Sequence, residues 1–399
     1  MERPLTWLRH FYRVITRWKY RIYSSLGAVS LSMSLPRLCA TPIAICLILL
    51  FKGGALAQEH DGDLALPARL QTLVNAQFPS TRCPGLSVAV ASDNKVVFSK
   101  ALGLSDLEQR LRLTTQSAHR LASLSKPVTG TIIMELIEDR RLSLDASVKE
   151  YLPELSDRYS RVTIRHLLSH QSGVRDYRDL EEVFSVKHYE NSRQAISIFM
   201  NAPLLFEPGT KVEYSSYNFT LLGAVAEGVT GQNFQQIAKD FFLRHGIAGF
   251  SLDDALEIVP LRVRGYRVDE SGQVENARFY DASNKYPAGG FVASAENYLR
   301  FVLATASGRV LPSDTVREMW TQQSVNDGKT TPFGLGWGVS DFKGYRMLGY
   351  NGLQPGETTT FRFFPQLGFG VVLACNAEGA ENLDKLLDSI LAAGLPSRK

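Results

Sequence analysis

The sequence predicts an α/β fold in which both ends of the chain supply strands and the middle supplies helices. Residues 86–91 and 95–102 are β-rich runs on either side of a Ser-Asp-Asn turn, which predicts a hairpin. A mostly helical region follows, from about residue 130 to 280. Three more β-rich runs lie between residues 345 and 375. This order favours an antiparallel sheet built from both chain ends, with flanking helices and an inserted helical region.

Each element has its own signal in the sequence. The first strong helix is predicted from apolar residues at helical spacing between 128 and 137, with Arg140 and Arg141 in its last turn. Further helices are predicted at 145–152, 163–169, 219–228, 234–242 and 383–393. The late strands are predicted at 345–350, 358–364 and 370–375, as an antiparallel meander with turns at 351–352 and 365–368.

Composition narrows the class of protein. The 399 residues are 44% hydrophobic and 21% charged, which is ordinary for a globular protein of one large domain or two. This excludes a disordered chain, a collagen and a multi-span membrane protein. Four cysteines are too few for a disulfide scaffold, and no Cys-x-x-Cys or His-Glu-x-x-His pattern occurs. The sequence therefore predicts neither a metal nor a cofactor.

The positive charge is concentrated at the N terminus. Residues 1–57 hold eight Lys or Arg and one acid, so the formal net charge of +4 becomes −3 for the remainder. The body of the protein gives no electrostatic reason to expect nucleic acid as a partner.

The N-terminal region has the features of a leader. Residues 43–51 are an uninterrupted apolar run, shorter than the roughly 20 residues that span a bilayer but long enough for a signal-peptide core. Ala55-Leu56-Ala57 then matches the small-x-small site of signal peptidase. We expect a leader at 1–57, a domain at 58–399, and export to the periplasm or medium. Met33 is an alternative start, and membrane contact is expected only through an uncleaved leader.

A Ser-x-x-Lys pattern opens the first strong helix. Ser123 and Lys126 are three residues apart, so their side chains share one helix face, and the helix N terminus favours a developing alkoxide. A lysine that has lost its proton can activate a serine nucleophile. Ser92 and Lys95 repeat the pattern, but in the predicted hairpin turn. On spacing alone, an ordinary helix start remains the alternative.

Several motifs in one order then resemble a known family. They are LASLSK at 121–126, VTIRHLLSHQSG at 162–173, FEPGT at 206–210, LLG at 221–223, YPAGGF at 286–291 and FGLGW at 333–337. The chain resembles the serine β-lactamase and penicillin-binding-protein superfamily between about 84 and 376. The resemblance is to the class C-like branch, which includes esterases and the mitochondrial β-lactamase-like serine proteases. It implies a β-lactamase-like fold, in which a helical domain meets an α/β domain with the site between them.

The resemblance assigns roles to the first two family motifs. Ser123 is implied as the nucleophile and Lys126 as its base partner. The Tyr-x-Asn motif corresponds to Tyr214-Ser215-Ser216, so Tyr214 is implied to carry the proton to the leaving group. Ser216 replaces the asparagine, with less reach and one hydrogen-bonding group fewer.

The third family motif is changed. Lys-Thr-Gly or His-x-Gly corresponds here to Tyr350-Asn351-Gly352, and the backbone N–H of Leu353 is implied to form an oxyanion hole with that of Ser123. The missing cation would hold a substrate carboxylate. A charged hydrogen bond of this kind contributes about 1.5–3 kcal/mol.

We therefore expect a serine hydrolase on small-molecule or peptide substrates, of esterase or peptidase type. A β-lactamase or D-alanyl-D-alanine carboxypeptidase, and a weakly active or inactive binding protein, remain alternatives. Oligomeric state is left open.

Two further features complete the expectations. His166 and His170 are interpreted as capping or packing residues. In the family's fold the strand that follows Cys83 and the strand that ends at Cys375 are antiparallel neighbours, which implies a disulfide between them. Two buried free thiols remain the alternative.

Overall fold

The centre of the fold is a seven-stranded antiparallel sheet made from both ends of the chain. The computed structural model describes residues 65–396. The strand order is β3-β2-β1-β12-β11-β10-β9. Its strands are β1 (Gly85–Ser92), β2 (Lys95–Asp106), β3 (Leu111–Arg112), β9 (Gly338–Phe342), β10 (Tyr345–Gln354), β11 (Glu357–Phe364) and β12 (Phe369–Cys375). The fold class expected from the family resemblance is thereby confirmed.

Shorter strands form two small sheets beside it, with the orders β4-β8-β5 and β13-β6-β7. These strands are β4 (His119–Arg120), β5 (Phe250–Leu252), β6 (Tyr266–Val268), β7 (Val274–Asn276), β8 (Phe291–Ala293) and β13 (Ala377–Glu378).

The helices are α1 (Leu66–Gln77), α2 (Ser125–Glu138), α3 (Ile164–Leu168), α4 (Leu180–Val183), α5 (Ser192–Ala195), α6 (Tyr217–Thr230), α7 (Phe234–Arg244), α8 (Tyr286–Gly289), α9 (Ala295–Ala306), α10 (Ser313–Met319) and α11 (Leu383–Gly394). Turns of 3₁₀ helix lie at Phe78–Thr81, Ala122–Leu124, Val148–Glu150, Asp157–Tyr159, Ile196–Ile198 and Ala282–Lys285.

The sheet is covered on both faces. Alternate residues of a strand point to opposite faces. Accordingly, Val88 of β1 packs in the core shared with α1 and α11, while Ala89 packs in the larger core shared with α2, α6 and α9. This explains why β1 and β12 are apolar without alternation.

Most elements predicted from the sequence are present. The hairpin is β1 and β2, with Asp93 and Asn94 at positive φ in the turn. The helices predicted at 128–137, 163–169, 219–228, 234–242 and 383–393 correspond to α2, α3, α6, α7 and α11. Thr163 caps α3, since its Oγ1 accepts from the backbone N–H of His166.

Two local predictions are wrong. Asn351-Gly352 is no turn: both residues lie inside β10, paired with Thr360 and Thr359 of β11. The turn is Pro355-Gly356, where Gly356 adopts a φ of 78°. Strand pairing therefore overrides the local Asn-Gly signal.

The helix predicted at 145–152 is only the 3₁₀ turn Val148–Glu150, closed by a capping box between Ser147 and Glu150. Pro153 follows closely and disfavours helical backbone at the residue before it. The region predicted as mostly helical also contains β5, β6 and β7.

The expected leader and the alternative start at Met33 lie outside the described residues. Within residues 65–396, the structure has no helix with the length and apolar character needed to span a membrane.

Cys83 and Cys375 form a disulfide, as the family resemblance implied. Antiparallel pairing places Leu86 of β1 opposite Cys375 of β12, and the two cysteine Cα atoms are 5.7 Å apart. That separation is typical of a disulfide. The bond joins positions 292 residues apart and ties the start of the domain to its last long strand.

We expect this disulfide to stabilise the domain. In the chain-entropy model, closing so long a loop contributes of the order of 5 kcal/mol. A chain lacking residues 1–57 should have no titratable thiol when denatured without reductant, and two after reduction. Cys83→Ser should unfold at a lower temperature than wild type, by the same amount as the double Cys83→Ser, Cys375→Ser variant. Two titratable thiols in the unreduced protein would contradict the pairing.

Candidate active site

Ser123 lies in a tight turn between β4 and α2. The turn is the 3₁₀ segment Ala122–Leu124, and α2 begins at Ser125, two residues later than the sequence predicts. Ala122 has a φ of 50°, in the left-handed region that residues with a Cβ rarely adopt. Such strain persists only where surrounding contacts enforce it, and it is concentrated at functional sites.

The Ser123 hydroxyl contacts two of the predicted side chains. Its Oγ is 2.6 Å from the Oη of Tyr214 and 3.1 Å from the Nζ of Lys126. The expected meeting of Ser123 and Lys126 across one helical turn is therefore present. Tyr214 comes from a distant loop, so the spacing within α2 could not have indicated it.

Lys126 is completely buried. Its Nζ also donates to the backbone carbonyl of Ala288, at 2.9 Å, and to the Oγ of Ser216, at 3.4 Å. A neutral amine has two hydrogens and one lone pair. With the hydrogens directed at Ala288 and Ser216, the lone pair can accept the proton of Ser123.

Ser216 partly fulfils the role of the asparagine that it replaces. Its contact with Lys126, at 3.4 Å, is longer than the contacts that Ser123 and Ala288 make with the same Nζ, as expected for a shorter side chain. Its backbone N–H donates to Oδ1 of Asp176, at 2.9 Å. Burial raises the pKa of the nearby Tyr177 hydroxyl well above its usual value, and Ser216 opposes this rise. Asp176 and Tyr177 were not predicted from the sequence, where neither stands in a recognisable motif.

A second buried lysine, Lys285, lies near Tyr177. Lys285 donates from Nζ to the carbonyl of Val183 at 2.8 Å, and the same atom lies 4.5 Å and 5.5 Å from the ring centres of Tyr280 and Tyr177. Burial lowers the pKa of Lys285 to about 8, against opposing effects of nearby carboxylates. No pattern in the sequence indicated this lysine, which comes just before the YPAGGF motif.

Strand β10 lies directly against the Ser123 turn at Gly352. A Cβ on Gly352 would lie 2.6 Å from the carbonyl oxygen of Leu121 and 3.0 Å from the Cβ of Ala122. Thr359, opposite Gly352 on β11, donates from Oγ1 to the same Leu121 carbonyl at 2.9 Å. Only glycine allows this approach, which places β10 beside the nucleophile.

The residues of the third family motif, 350–352, alternate between the two faces of the sheet. Tyr350 and Gly352 lie on the Ser123 face. The Asn351 side chain lies on the other face, where its Oδ1 accepts from the Oγ1 of Thr360. The structure thus does not bring the Asn351 side chain to Ser123. Leu353 follows Gly352 and pairs with Thr358; its role as an oxyanion donor stays a prediction.

The two histidines differ. His166 caps α3, since its Nδ1 accepts from the backbone N–H of Thr163 at 3.3 Å, as expected of a structural residue. His170 is completely buried, but its Nε2 lies 3.2 Å from the Oη of Tyr350 and its ring stacks on Tyr214 at 4.6 Å. The interpretation of His170 as a capping or packing residue missed its contacts with Tyr350 and Tyr214. Its place in the VTIRHLLSHQSG motif was the available signal.

Three buried side chains are linked by hydrogen bonds at the start of β11. Ser87 Oγ is 2.9 Å from Nε2 of His119, whose Nδ1 is 2.5 Å from Oε1 of Glu357. Burial raises the pKa of Glu357, and the adjacent His119 opposes this. Although the residue types resemble a catalytic triad, His119 and Glu357 are completely buried and Ser87 is 2% exposed. We therefore assign these three residues a structural role in the sheet.

Comparison with known proteins identifies the family. The family model described as Beta-lactamase matches residues 65–395. The chain belongs to the Beta-lactamase family. The matched range contains every candidate site residue described above.

Two relatives are similar to this chain over part of their length. The human mitochondrial serine beta-lactamase-like protein LACTB is 25% identical over 346 residues, covering 65% of this chain and 63% of the human protein. The D-aminopeptidase of Gluconobacter oxydans is 27% identical over 278 residues, covering 67% of this chain and 51% of that enzyme. The alignments thus span less than two thirds of either relative.

Among solved structures, D-amino acid amidase from Ochrobactrum anthropi SV3 superposes with a TM-score of 0.72 at 21% identity. The match covers 82% of this chain and 98% of the amidase. At this identity the likeness establishes the shared fold.

We expect Gly352→Ala to impair the site without unfolding the protein. The added Cβ would push β10 away from Leu121 and Ala122, and a displacement of about 1 Å at a reacting group can cost 10²-fold in rate. The acylation rate of Ser123 by an active-site probe should fall by about that factor.

Gly328→Ala is the matched control: alanine is strained at its φ of 85°, but the added Cβ would meet no atom within 4 Å. Its acylation rate should equal that of wild type. Equal rates in wild type and Gly352→Ala would show that the close contact is not needed.

Proposed function

We propose that this protein is a serine hydrolase that forms an acyl-enzyme on Ser123. The observation that carries the proposal is the placement of the Ser123 hydroxyl within 2.6 Å of Tyr214 Oη and 3.1 Å of Lys126 Nζ. A serine is a weak nucleophile until a neighbouring base takes its proton, and this geometry supplies the base.

The proposed reaction has two halves. Neutral Lys126 takes the Ser123 proton as Oγ attacks the substrate carbonyl, and the backbone N–H groups of Ser123 and Leu353 stabilise the oxyanion. Tyr214 passes its proton to the leaving alcohol or amine and takes up the proton held by Lys126, which leaves both groups neutral. The bond to the leaving group breaks, and the acyl group stays on Ser123. Water then attacks the acyl-enzyme by the same route in reverse, which releases the acid and restores the serine.

The proposed substrates are esters, amides or peptides. Tyr350 stands where a substrate carboxylate would meet a cation, and a neutral hydroxyl holds a carboxylate less strongly. The similarity to a D-aminopeptidase is consistent with an amide among the substrates. We favour this range over β-lactams and peptides recognised by a C-terminal carboxylate.

We also propose that the protein is exported. The basic and apolar pattern of residues 1–57 supports this, and so does the Cys83–Cys375 disulfide, since disulfides persist mainly in oxidising compartments.

A fluorophosphonate probe tests the nucleophile. Intact-mass spectrometry should detect one adduct on wild type and none on Ser123→Ala. Ser92→Ala, which changes the other Ser-x-x-Lys copy, is the matched control and should be labelled like wild type. Folded wild type without an adduct would favour a binding protein of the same fold.

Substrate preference tests the role given to Tyr350. We expect short-chain p-nitrophenyl esters to be turned over with a higher kcat/KM than a chromogenic cephalosporin. Tyr350→Lys should raise acylation by the cephalosporin, because it restores a cation for the carboxylate. Faster hydrolysis of the cephalosporin by wild type would refute the argument.

N-terminal sequencing of protein recovered from the producing cell tests export. We expect the mature chain to begin at Gln58 and to be found outside the cytoplasm. An intact N terminus in the cytoplasmic fraction would be the contrary result.

A further inference from the structure

A chain of hydrogen bonds with a defined direction leads to His170. The backbone N–H of Val174 donates to Ser172 Oγ at 3.0 Å, and the Ser172 hydroxyl donates to Oδ1 of Asn218 at 2.5 Å. Because Oδ1 of Asn218 accepts this bond, the other end of the amide, Nδ2, must be a donor. Nδ2 lies 3.2 Å from Nδ1 of His170. The backbone N–H of Ser215 also donates to Nδ1, so Nδ1 is an acceptor and the amide must present its Nδ2 there.

The same chain fixes the tautomer of His170. Nδ1 faces two donors, Nδ2 of Asn218 and the backbone N–H of Ser215, each at 3.2 Å. A nitrogen that accepts these bonds carries no hydrogen, so the neutral ring carries its hydrogen on Nε2. Nε2 lies 3.2 Å from the Oη of Tyr350 and donates to it. The Tyr350 hydroxyl hydrogen then points away from His170.

The His170 ring also supports Tyr214. The two ring centres are 4.6 Å apart and the planes are inclined by 29°, a stacked arrangement. His170 itself has a φ of 59°, and its carbonyl accepts from the backbone N–H of Glu213 at 2.9 Å. The histidine backbone is thus tied to the segment that carries Tyr214.

We propose that neutral, Nε2-protonated His170 is a positioning residue that sets the places of the Tyr350 hydroxyl and the Tyr214 ring relative to Ser123. The proposal rests on the proposed hydrolase function and adds a determinant of its specificity. His170 touches no reacting atom; it acts through Tyr350, at the changed third motif, and through Tyr214, whose Oη contacts the nucleophile.

A double-mutant cycle tests the action through Tyr350. Tyr350→Phe removes only the hydroxyl, and His170→Asn removes the ring while keeping a residue type that tolerates positive φ. We expect His170→Asn to lower kcat for a p-nitrophenyl ester about tenfold or more. Adding Tyr350→Phe to His170→Asn should lower kcat little further, because without His170 the Tyr350 hydroxyl is no longer held in position. Fully additive effects would overturn the proposal.

His166→Asn is the matched control. It changes the other histidine of the same motif, which caps α3 and has no contact with Tyr350 or Tyr214 among the hydrogen bonds and ring contacts of the described residues. We expect it to lower the melting temperature while leaving kcat and KM within about twofold of wild type. A loss of kcat equal to that of His170→Asn would mean that both histidines act only through folding.

Nuclear magnetic resonance tests the tautomer without any substrate. The nitrogen spectrum of imidazole-labelled protein should show His170 with a hydrogen on Nε2 and none on Nδ1. Asn218→Asp replaces the donor at Nδ1 by an acceptor, so it should move a hydrogen to Nδ1 and lower kcat. A wild-type His170 with its hydrogen on Nδ1 would overturn the proposal. If wild type hydrolysed no substrate, the hydrolase function would fail, and the spectrum would still decide the tautomer.

Discussion

The buried amine of Lys126 is the constraint on which the site depends. Burying a charged or polar group is costly unless hydrogen bonds replace the lost water. The hydrogen-bond partners of Nζ come from three separate parts of the chain: Ser123 before α2, Ser216 before α6, and the Ala288 carbonyl in α8. Keeping Lys126 satisfied therefore requires these segments to meet. The same convergence places Tyr214 against the nucleophile.

A second constraint is the close approach of the sheet to the Ser123 turn. Two contacts with the sheet hold Ala122 in the left-handed region: the Thr359 bond to the Leu121 carbonyl and the close approach of Gly352 in β10. The antiparallel register of β10 and β11 sets Gly352 opposite Thr359, so both contacts depend on one pairing. The buried Glu357 and His119 hold the first residue of β11 and thereby stabilise that register.

The sequence predicted correctly those features that follow from a local pattern or from the family resemblance. Helical spacing joined Ser123 and Lys126, and the family resemblance supplied Tyr214 and the disulfide. The predictions were wrong where contacts between distant segments determine the local structure. Asn351-Gly352 has the sequence of a turn, but both residues pair with β11. The tautomer of His170 depends on donors from several segments, which no local pattern specifies.

The central claim is that Lys126 acts as the base for Ser123. The most direct measurement is the rate of acyl-enzyme formation with a p-nitrophenyl ester in wild type and in Lys126→Met, by rapid quenching and mass spectrometry. Methionine fills a similar volume without an amine, so the fold should be retained and confirmed by its melting temperature. The account predicts a rate lower by about 10²- to 10⁴-fold in the variant, the usual contribution of a general base. Acylation of folded Lys126→Met at the wild-type rate would contradict it.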